Sequence, residues 1–134
     1  MMVRRLEESA SIPFSAAHFI GAGGVVINDR QELLVVSERH RPSNRPHSKP
    51  PGGALELREH LVDAVVREVL GETGIQTRFE SLVCFPDWHG FRYAKSLIYF
   101  VCRLWPLSDE VVLQSEEIGS ACGCWSRTTW APTW

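Results

Sequence analysis

The sequence lacks the long apolar runs and the charge excess that would place it in several common protein classes. No stretch of the 134 residues approaches the roughly 20 consecutive apolar residues of a membrane-spanning helix. The formal net charge is -2, so no global field favours nucleic acid or an anionic membrane. Hydrophobic residues make up 44% of the chain, which is ordinary for a soluble globular protein. A chain of this length can bury one core without disulfides or a structural metal.

Cysteine is also scarce, with four residues in the chain. Cys84 and Cys102 lie in apolar runs, and we predict that both are buried thiols. Cys122 and Cys124 have one residue between them and no second pair, which does not match a zinc site. The first residues lack the clean apolar centre of a signal peptide, since His18 interrupts it. We therefore expect a reduced protein of the cytoplasm with no membrane contact.

The hydrophobic pattern predicts five strands and one helix, in the order β-β-α-β-β-β. The predicted strands cover residues 18–29, 32–39, 75–85, 94–105 and 122–127. The first two are expected to form a hairpin that turns at Asn28-Asp29. The helix is predicted from about Arg58 to Thr73, with Gly74 as a left-handed C-cap. Residues 1–17 are expected to be a lead-in, and residues 18–134 a single domain.

Carboxylates lie beside the apolar face of this predicted helix. At about 100° per residue one face is apolar, and its members are Leu61, Val62, Val65, Val66 and Val69. Glu68 and Glu72 are one turn apart at the edge of that face, with Gly71 between them in angle. Two such carboxylates repel each other by a few tenths of a kcal/mol when exposed. A hard divalent cation such as Mg²⁺ would relieve the repulsion; the alternative is a solvated edge with local ion pairs.

The spacing around these acids resembles the signature of the Nudix hydrolases. Five residues separate Gly53 from Glu59, seven more precede Arg67-Glu68, and Gly74-Ile75 closes the pattern. The matching positions are Gly53, Glu59, Arg67, Glu68, Val69, Glu72, Gly74 and Ile75. The resemblance covers roughly residues 18–126. It implies an α/β fold, the Nudix-type α/β/α sandwich with a mixed β-sheet.

The resemblance implies a pyrophosphohydrolase that uses Mg²⁺ or Mn²⁺. Its substrate would be a nucleoside diphosphate linked to another group, with water attacking a phosphorus of the diphosphate. By position in the motif, Glu68 and Glu72 would be metal ligands, and the carbonyl of Gly53 a further one. Glu68 would also handle a proton. Arg67 would orient a glutamate through an ion pair, with Glu59 as its partner.

Gly71 departs from the family pattern, which usually has the first of two adjacent glutamates here. The glycine removes one carboxylate and costs roughly 1 kcal/mol of helix stability relative to Ala. Either fewer metal ions bind, or another acid substitutes, or turnover is weak or absent. Glu116 and Glu117, in the loop before the last strand, are the candidates to substitute; the alternative for them is a solvated pair. A Nudix-fold domain that binds or senses a nucleotide without turnover is thus the alternative function.

The segment before the motif departs as well. Many relatives carry a Trp and an aliphatic residue ahead of Pro-Gly-Gly, where this chain has Ser48 and Pro50. Because proline cannot donate to a sheet ladder, we predict a broken strand or an edge strand there.

Cations and aromatics in two segments are candidates for substrate contacts. Arg39, Arg41 and Lys49 would bind phosphates, or else belong to a solvated loop. Trp88 would stack on a base and Arg92 would contact phosphate, with a packed hairpin turn as the alternative. The sequence is similar to Nudix proteins that act on ADP-ribose, NADH-type compounds or nucleotide sugars. A small nucleotide is therefore the expected partner. RNA is not expected, since no long basic face is present.

The C-terminal segment is short and rich in Trp, and a homodimer or a truncation would explain it.

Overall fold

The computed structural model describes residues 16–38, 48–112 and 121–127, and these form eight strands and one helix. The strands are β1 (His18–Val26), β2 (Leu33–Glu38), β3 (Ser48–Lys49), β4 (Gly52–Ala54), β5 (Thr77–Cys84), β6 (Asp87–Trp88), β7 (Ser96–Pro106) and β8 (Ala121–Ser126). The helix, α1, spans Leu61–Thr73. Among the described residues, no helix is both long enough and apolar enough to cross a membrane.

The strands form two sheets, one of them mixed. The larger sheet has the order β4-β1-β7-β5, and β6 also pairs with β7. Its central strands β1 and β7 run parallel, while the other pairs are antiparallel. The smaller sheet has the order β3-β2-β8 and is antiparallel. The predicted α/β class with a mixed sheet is confirmed.

The core lies where α1 packs on these sheets. Its fully buried members are Ala22, Val26, Leu34, Val65, Val69, Ile75, Cys102 and Leu104. Gly24 permits the close approach of helix and sheet, because an added Cβ would lie 2.7 Å from Val69 Cγ2 and 2.9 Å from Leu104 Cδ1. The predicted apolar face is right for Val65 and Val69, but Val62 is 41% exposed. The face is therefore rotated slightly from the predicted one, with Ala64 buried instead.

The helix boundaries agree with the prediction at one end only. Gly74 has φ 73°, and its N–H donates to the Leu70 carbonyl at 2.8 Å, so the left-handed C-cap is confirmed. The predicted start near Arg58 is too early. Arg58 has φ 65°, a left-handed conformation that cannot belong to an α-helix, and α1 begins at Leu61.

The predicted hairpin of β1 and β2 is wrong, because the two strands belong to different sheets. Among the described residues they are bridged at one isolated pair, Ile27 and Leu33. Asn28 organises the turn, since its Oδ1 accepts from the backbone N–H groups of Arg30 and Glu32 at 3.0 Å each. The chain therefore reverses at the predicted turn, but the antiparallel pairing does not continue into β1 and β2.

Two local predictions had opposite outcomes. The strand before the motif is broken as predicted, since β3 and β4 are separated at Pro50 and lie in different sheets. Cys102 is buried, but Cys84 is exposed, which contradicts its prediction as a buried thiol. Cys84 ends β5, and every residue from 80 to 90 is exposed there.

Candidate functional site

Arg67 links the acids at the start and in the middle of the motif. Its Nε and Nη2 donate to the two carboxylate oxygens of Glu59 at 2.7 and 2.9 Å, a bidentate pair. Its Nη1 donates to Glu68 Oε1 at 2.7 Å, and its Nη2 reaches the Ala54 carbonyl at 3.3 Å. The guanidinium thus ties the loop before α1, the helix and β4 together. It also fixes the direction of the Glu68 carboxylate.

Glu68 and Glu72 both meet the two glycines of β4. A Cβ added at Gly53 would lie 2.6 Å from Glu68 Cδ and 2.7 Å from each of its carboxylate oxygens. A side chain at position 53 would therefore displace the carboxylate. Glu72 accepts a hydrogen bond from the Gly52 N–H at 2.9 Å through Oε2. The sequence places the acids one helical turn apart, and β4 brings bare backbone against both.

The electrostatics of the cluster follow from these contacts. The hydrogen bonds from Arg67 and from the Glu56 N–H hold the pKa of Glu59 at about 2, below its ordinary 4.5. The same bond raises the pKa of Arg67. Burial raises the pKa of the Tyr99 phenol, and the negative charges of Glu72 and Glu68 raise it further. Tyr99 is therefore close enough to the acids to experience their field, and it stays protonated at neutral pH.

A cleft of about 850 Å³ opens beside the acids. Its walls come from β1, β4, the start of β7 and the segment around β6. The lining residues are Phe19, Ile20, Gly21, Lys49, Gly52, Gly53, Ala54, Trp88, Phe91, Arg92, Leu97 and Tyr99. Phe19 and Phe91 meet edge to face at 6.0 Å between ring centroids, and Arg92 lies over the Phe91 ring at 5.5 Å. The cleft combines apolar rings with two cations, and two of its lining residues, Gly52 and Gly53, contact Glu72 and Glu68, as in small-molecule sites with few polar groups on mostly apolar walls.

The segment between β6 and β7 has an unusual backbone. Tyr93 and Ala94 have φ of 55° and 56°, two successive left-handed residues that are not glycine. Such residues cost of order 1–3 kcal/mol each and are concentrated at functional sites. His89 helps to hold the segment, since its Nδ1 lies 2.9 Å from Ser96 Oγ and its Nε2 lies 3.4 Å from Asp87 Oδ2. This conformation places Phe91 and Arg92 at the cleft.

Most of the predicted site residues lie in two neighbouring places. Glu59, Arg67, Glu68, Glu72 and Gly53 form the acidic cluster, and Lys49, Trp88 and Arg92 line the adjoining cleft. Arg39, Arg41, Glu116 and Glu117 lie outside the described residues. The roles assigned to all of these residues stay predictions.

Tyr99 is a part of the site that the sequence patterns do not single out, because it lies within the strongest strand pattern. Gly52 and Gly53 together predict a close approach of backbone to a ligand, and the structure shows that the Gly52 N–H donates to Glu72. A usable signal was the alternation of Gly21 and Gly23, which leaves one face of β1 bare for a neighbouring ring.

The donor set at the acidic end suits a hard divalent cation. Within the described ranges, no group of three His, Cys, Asp or Glu side chains is arranged to hold a metal ion. Two carboxylates do converge on β4, and Mg²⁺ commonly takes one or two carboxylates together with substrate phosphates. The two carboxylates therefore fit the metal that the motif implies, while the roles of Glu68, Glu72 and the Gly53 carbonyl as its ligands stay predictions.

Position 71 has room for a side chain. No atom of the described part of the chain lies within 4 Å of a Cβ placed on Gly71, apart from the neighbouring helix backbone. The residue is exposed, and its φ is not in the left-handed region. Neither packing nor backbone conformation therefore requires glycine here. The structure therefore gives no packing or backbone reason for the absence of a carboxylate at position 71.

Comparison with known proteins gives one consistent family. The model described as the NUDIX domain matches residues 17–132. Nudix hydrolase 8 of Arabidopsis thaliana is 38% identical over 116 residues, which cover 86% of this chain and 31% of that protein. The protein named nucleoside diphosphate-linked moiety X motif 6 of Xenopus laevis is 38% identical over 111 residues, covering 81% of this chain and 50% of that protein. The chain thus spans only 31% to 50% of the length of these curated relatives.

Solved structures agree on the fold. A MutT NUDIX hydrolase from Burkholderia pseudomallei superposes with a TM-score of 0.65 at 22% identity, covering 82% of this chain and 83% of that one. This structural likeness shows that the two chains share a fold.

Proposed function

The chain belongs to the NUDIX domain family, and from that premise we propose that it is a divalent-metal-dependent hydrolase of a nucleoside diphosphate linked to another group. One observation carries the proposal: the carboxylates of Glu68 and Glu72 meet the bare backbone of Gly52 and Gly53, and these two glycines line a cleft of about 850 Å³. The name of the Xenopus laevis relative, which refers to a nucleoside diphosphate-linked moiety, supports the same substrate class.

Each residue of the acidic cluster has a separate role in the proposed hydrolysis. Water attacks one phosphorus of the diphosphate, a new P–O bond forms, and the bridging P–O bond breaks. Glu68 accepts the proton of that water, and Arg67 holds its carboxylate in place through the 2.7 Å bond. Glu59 keeps Arg67 oriented. Mg²⁺ or Mn²⁺, bound by Glu68, Glu72 and the Gly53 carbonyl, would neutralise charge that develops on the phosphate oxygens.

The cleft supports a small nucleotide with a second polar group as substrate. Trp88 and Phe91 offer ring faces and edges to a base or a sugar. Arg92 and Lys49 bring positive charge to the same walls. ADP-ribose, NADH-type compounds and nucleotide sugars have this combination of a diphosphate between two bulky groups, and we propose them as the substrate range.

The test is release of nucleoside monophosphate with Mg²⁺ or Mn²⁺ from ADP-ribose, NADH, UDP-glucose and a dinucleoside polyphosphate. Glu68→Gln is expected to abolish turnover for two reasons. The amide lacks the negative charge that would bind the metal, and it cannot accept the proton of the attacking water. Glu80→Gln is the matched control, since Glu80 lies on β5, at the other end of the strand order from β4. Metal-dependent turnover that persists unchanged in Glu68→Gln would contradict the proposal.

A second function is favoured by Gly71. A domain that binds a nucleotide without efficient hydrolysis would tolerate the loss of one carboxylate on the metal side. Tight binding of ADP-ribose with no turnover by the natural chain would support this second function. Turnover that appears in Gly71→Glu would then show that the missing carboxylate is the reason, because the structure has room for it.

A further inference from the structure

The Tyr99 side chain lies across a trough made of three glycines. A Cβ at Gly21 would lie 2.8 Å from Tyr99 Cδ2, one at Gly23 would lie 2.4 Å from the hydroxyl, and one at Gly52 would lie 2.5 Å from it. All three distances are shorter than side-chain atoms tolerate. The ring therefore occupies the space that side chains on β1 and β4 would fill.

The strand register shows that this arrangement is specific to one ring. Gly21 is opposite Tyr99 in the parallel β1–β7 pair, and Gly23 is opposite Gly52 in the antiparallel β1–β4 pair. The side chain starts on β7, crosses β1 and ends at β4. Glycine in a strand costs roughly 0.5–1 kcal/mol relative to Ala. The ring explains glycine at positions 21 and 23. At Gly52 a Cβ would also lie 2.4 Å from the Ala22 carbonyl oxygen, so the backbone of β1 requires glycine there as well.

The hydroxyl ends where the aromatic cleft meets the acidic cluster. It lies beside Gly52, whose N–H holds Glu72. The ring lines the cleft and meets Trp88 edge to face, with centroids 6.4 Å apart. The hydroxyl therefore lies between the aromatic walls and the Gly52 backbone that contacts Glu72, close enough to Glu68 and Glu72 for their charges to raise the Tyr99 pKa.

The Tyr99 hydroxyl is a neutral hydrogen-bond donor, and this property determines which part of a ligand it can contact. A lysine at this point would pair with Glu68 and Glu72 and neutralise them, and a carboxylate would repel a diphosphate. A phenol donates a hydrogen bond without adding charge. It suits a phosphate oxygen, which accepts hydrogen bonds and must stay close to the carboxylates.

We propose that Tyr99 is a substrate-contacting residue whose hydroxyl donates a hydrogen bond to a non-bridging oxygen of the diphosphate. The inference rests on the proposed function for its ligand class, but not on turnover. It assigns Tyr99 to recognition of the diphosphate rather than of the base or the sugar. Substrates that differ at either end are expected to depend on it equally.

The test uses probes that cannot be hydrolysed: the α,β-methylene analogues of ADP-ribose and UDP-glucose, titrated calorimetrically with Mg²⁺. Tyr99→Phe keeps the ring in its trough and removes the hydroxyl. Loss of one hydrogen bond to a charged group is expected to raise Kd roughly 10- to 100-fold for both probes. Tyr93→Phe is the matched control, because Tyr93 is 87% exposed and does not line the cleft. Its Kd is expected to equal that of the natural chain.

The outcomes separate this inference from the proposed function. Equal Kd in Tyr99→Phe and the natural chain overturns the role of Tyr99 and leaves hydrolysis standing. An effect on one probe alone also overturns it, since the contact would then be with a base or a sugar. Probe binding with the expected loss, but no turnover of any of the four substrates of the hydrolysis assay, supports Tyr99 and contradicts the hydrolase. If neither probe binds the natural chain, the diphosphate contact is wrong.

A second measurement needs no change at Tyr99. The sequence has two tyrosines, so ¹³Cζ-labelled tyrosine gives two ring signals, which Tyr93→Phe assigns. Addition of either probe is expected to shift the Tyr99 signal and leave that of Tyr93 in place. A Tyr99 signal that does not move at saturation would contradict the contact, whatever the stability of Tyr99→Phe.

Discussion

Replacement of Gly71 by alanine is expected to stabilise the protein. The residue lies inside α1 with open space around it and no left-handed φ, so alanine fits without strain. Glycine in a helix interior costs about 1 kcal/mol relative to alanine. Because Gly71 lies in the last turn, where helices fray, we expect roughly half to all of that value. For a domain of this size the gain corresponds to roughly 2–5 °C in Tm.

Thermal unfolding followed by circular dichroism measures this gain, with Gly74→Ala as the contrasting variant in the same helix. Gly74 has φ 73°, and an added Cβ would lie 2.8 Å from Val112 Cβ, so alanine there is expected to lower Tm. A Tm for Gly71→Ala at or below that of the natural chain would refute the reasoning. It would mean that position 71 is not open in solution.

Gly71→Glu extends the experiment to the metal. Without metal the new carboxylate adds repulsion from Glu68 and Glu72, so the gain seen with alanine is expected to shrink. With Mg²⁺ the variant is expected to gain more Tm than Gly71→Gln, which has the same shape and no charge. Each tenfold increase in affinity adds about 1.4 kcal/mol at saturating metal. Equal Mg²⁺ shifts in both variants would exclude position 71 from the metal site.

Three further changes test the packing and charge of the site. Glu59 has a folded-state pKa of about 2, below its ordinary 4.5, chiefly because of its hydrogen bonds with Arg67. The contribution of this pair to the free energy of unfolding is therefore fully present above about pH 4.5 and is lost as pH falls toward 2. The natural chain is therefore expected to lose more stability than Glu59→Gln across that window in acid unfolding, and parallel curves would contradict the Arg67 pair. Gly53→Ala is expected to displace the Glu68 carboxylate and to reduce the Mg²⁺-induced rise in Tm, while similar rises in variant and natural chain would show that the carboxylate moves freely. Gly24→Ala is expected to lower stability by roughly 1–3 kcal/mol in urea unfolding, because its Cβ overpacks the core; a neutral effect would show that helix and sheet can separate.

The acidic helix could be predicted from the sequence because its determinants are local. The spacing of Glu68 and Glu72, the apolar residues Val65 and Val69 and the cap at Gly74 all lie within one short segment. Helical geometry then fixes their relative directions without knowledge of the rest of the chain. The break at Pro50 was also readable, since a proline removes a ladder donor wherever it occurs.

The cleft could not be predicted in the same way, because distant strands build it. The hairpin prediction failed because it assumed that adjacent strands pair, while β1 pairs with β4 and β7 and β2 pairs with β3 and β8. Strand patterns identify β1 and β7 but not their parallel pairing, which decides that Tyr99 meets Gly21. Exposure of Cys84 depends on which part of β5 is left uncovered, and its apolar neighbours carry no information on that point.

The parallel pairing of β1 with β7 also determines when the site can exist during synthesis. His18 is opposite Ser96 in this ladder, so residues about 80 positions apart in the chain must meet. Loop closure of this length is slow compared with the turns of a helix. During translation at roughly 5–20 residues per second, α1 leaves the ribosome seconds before Pro106 ends β7. The segment that carries the carboxylates is therefore made before the floor of the cleft can form, and the cleft is complete only after β7 has joined β1.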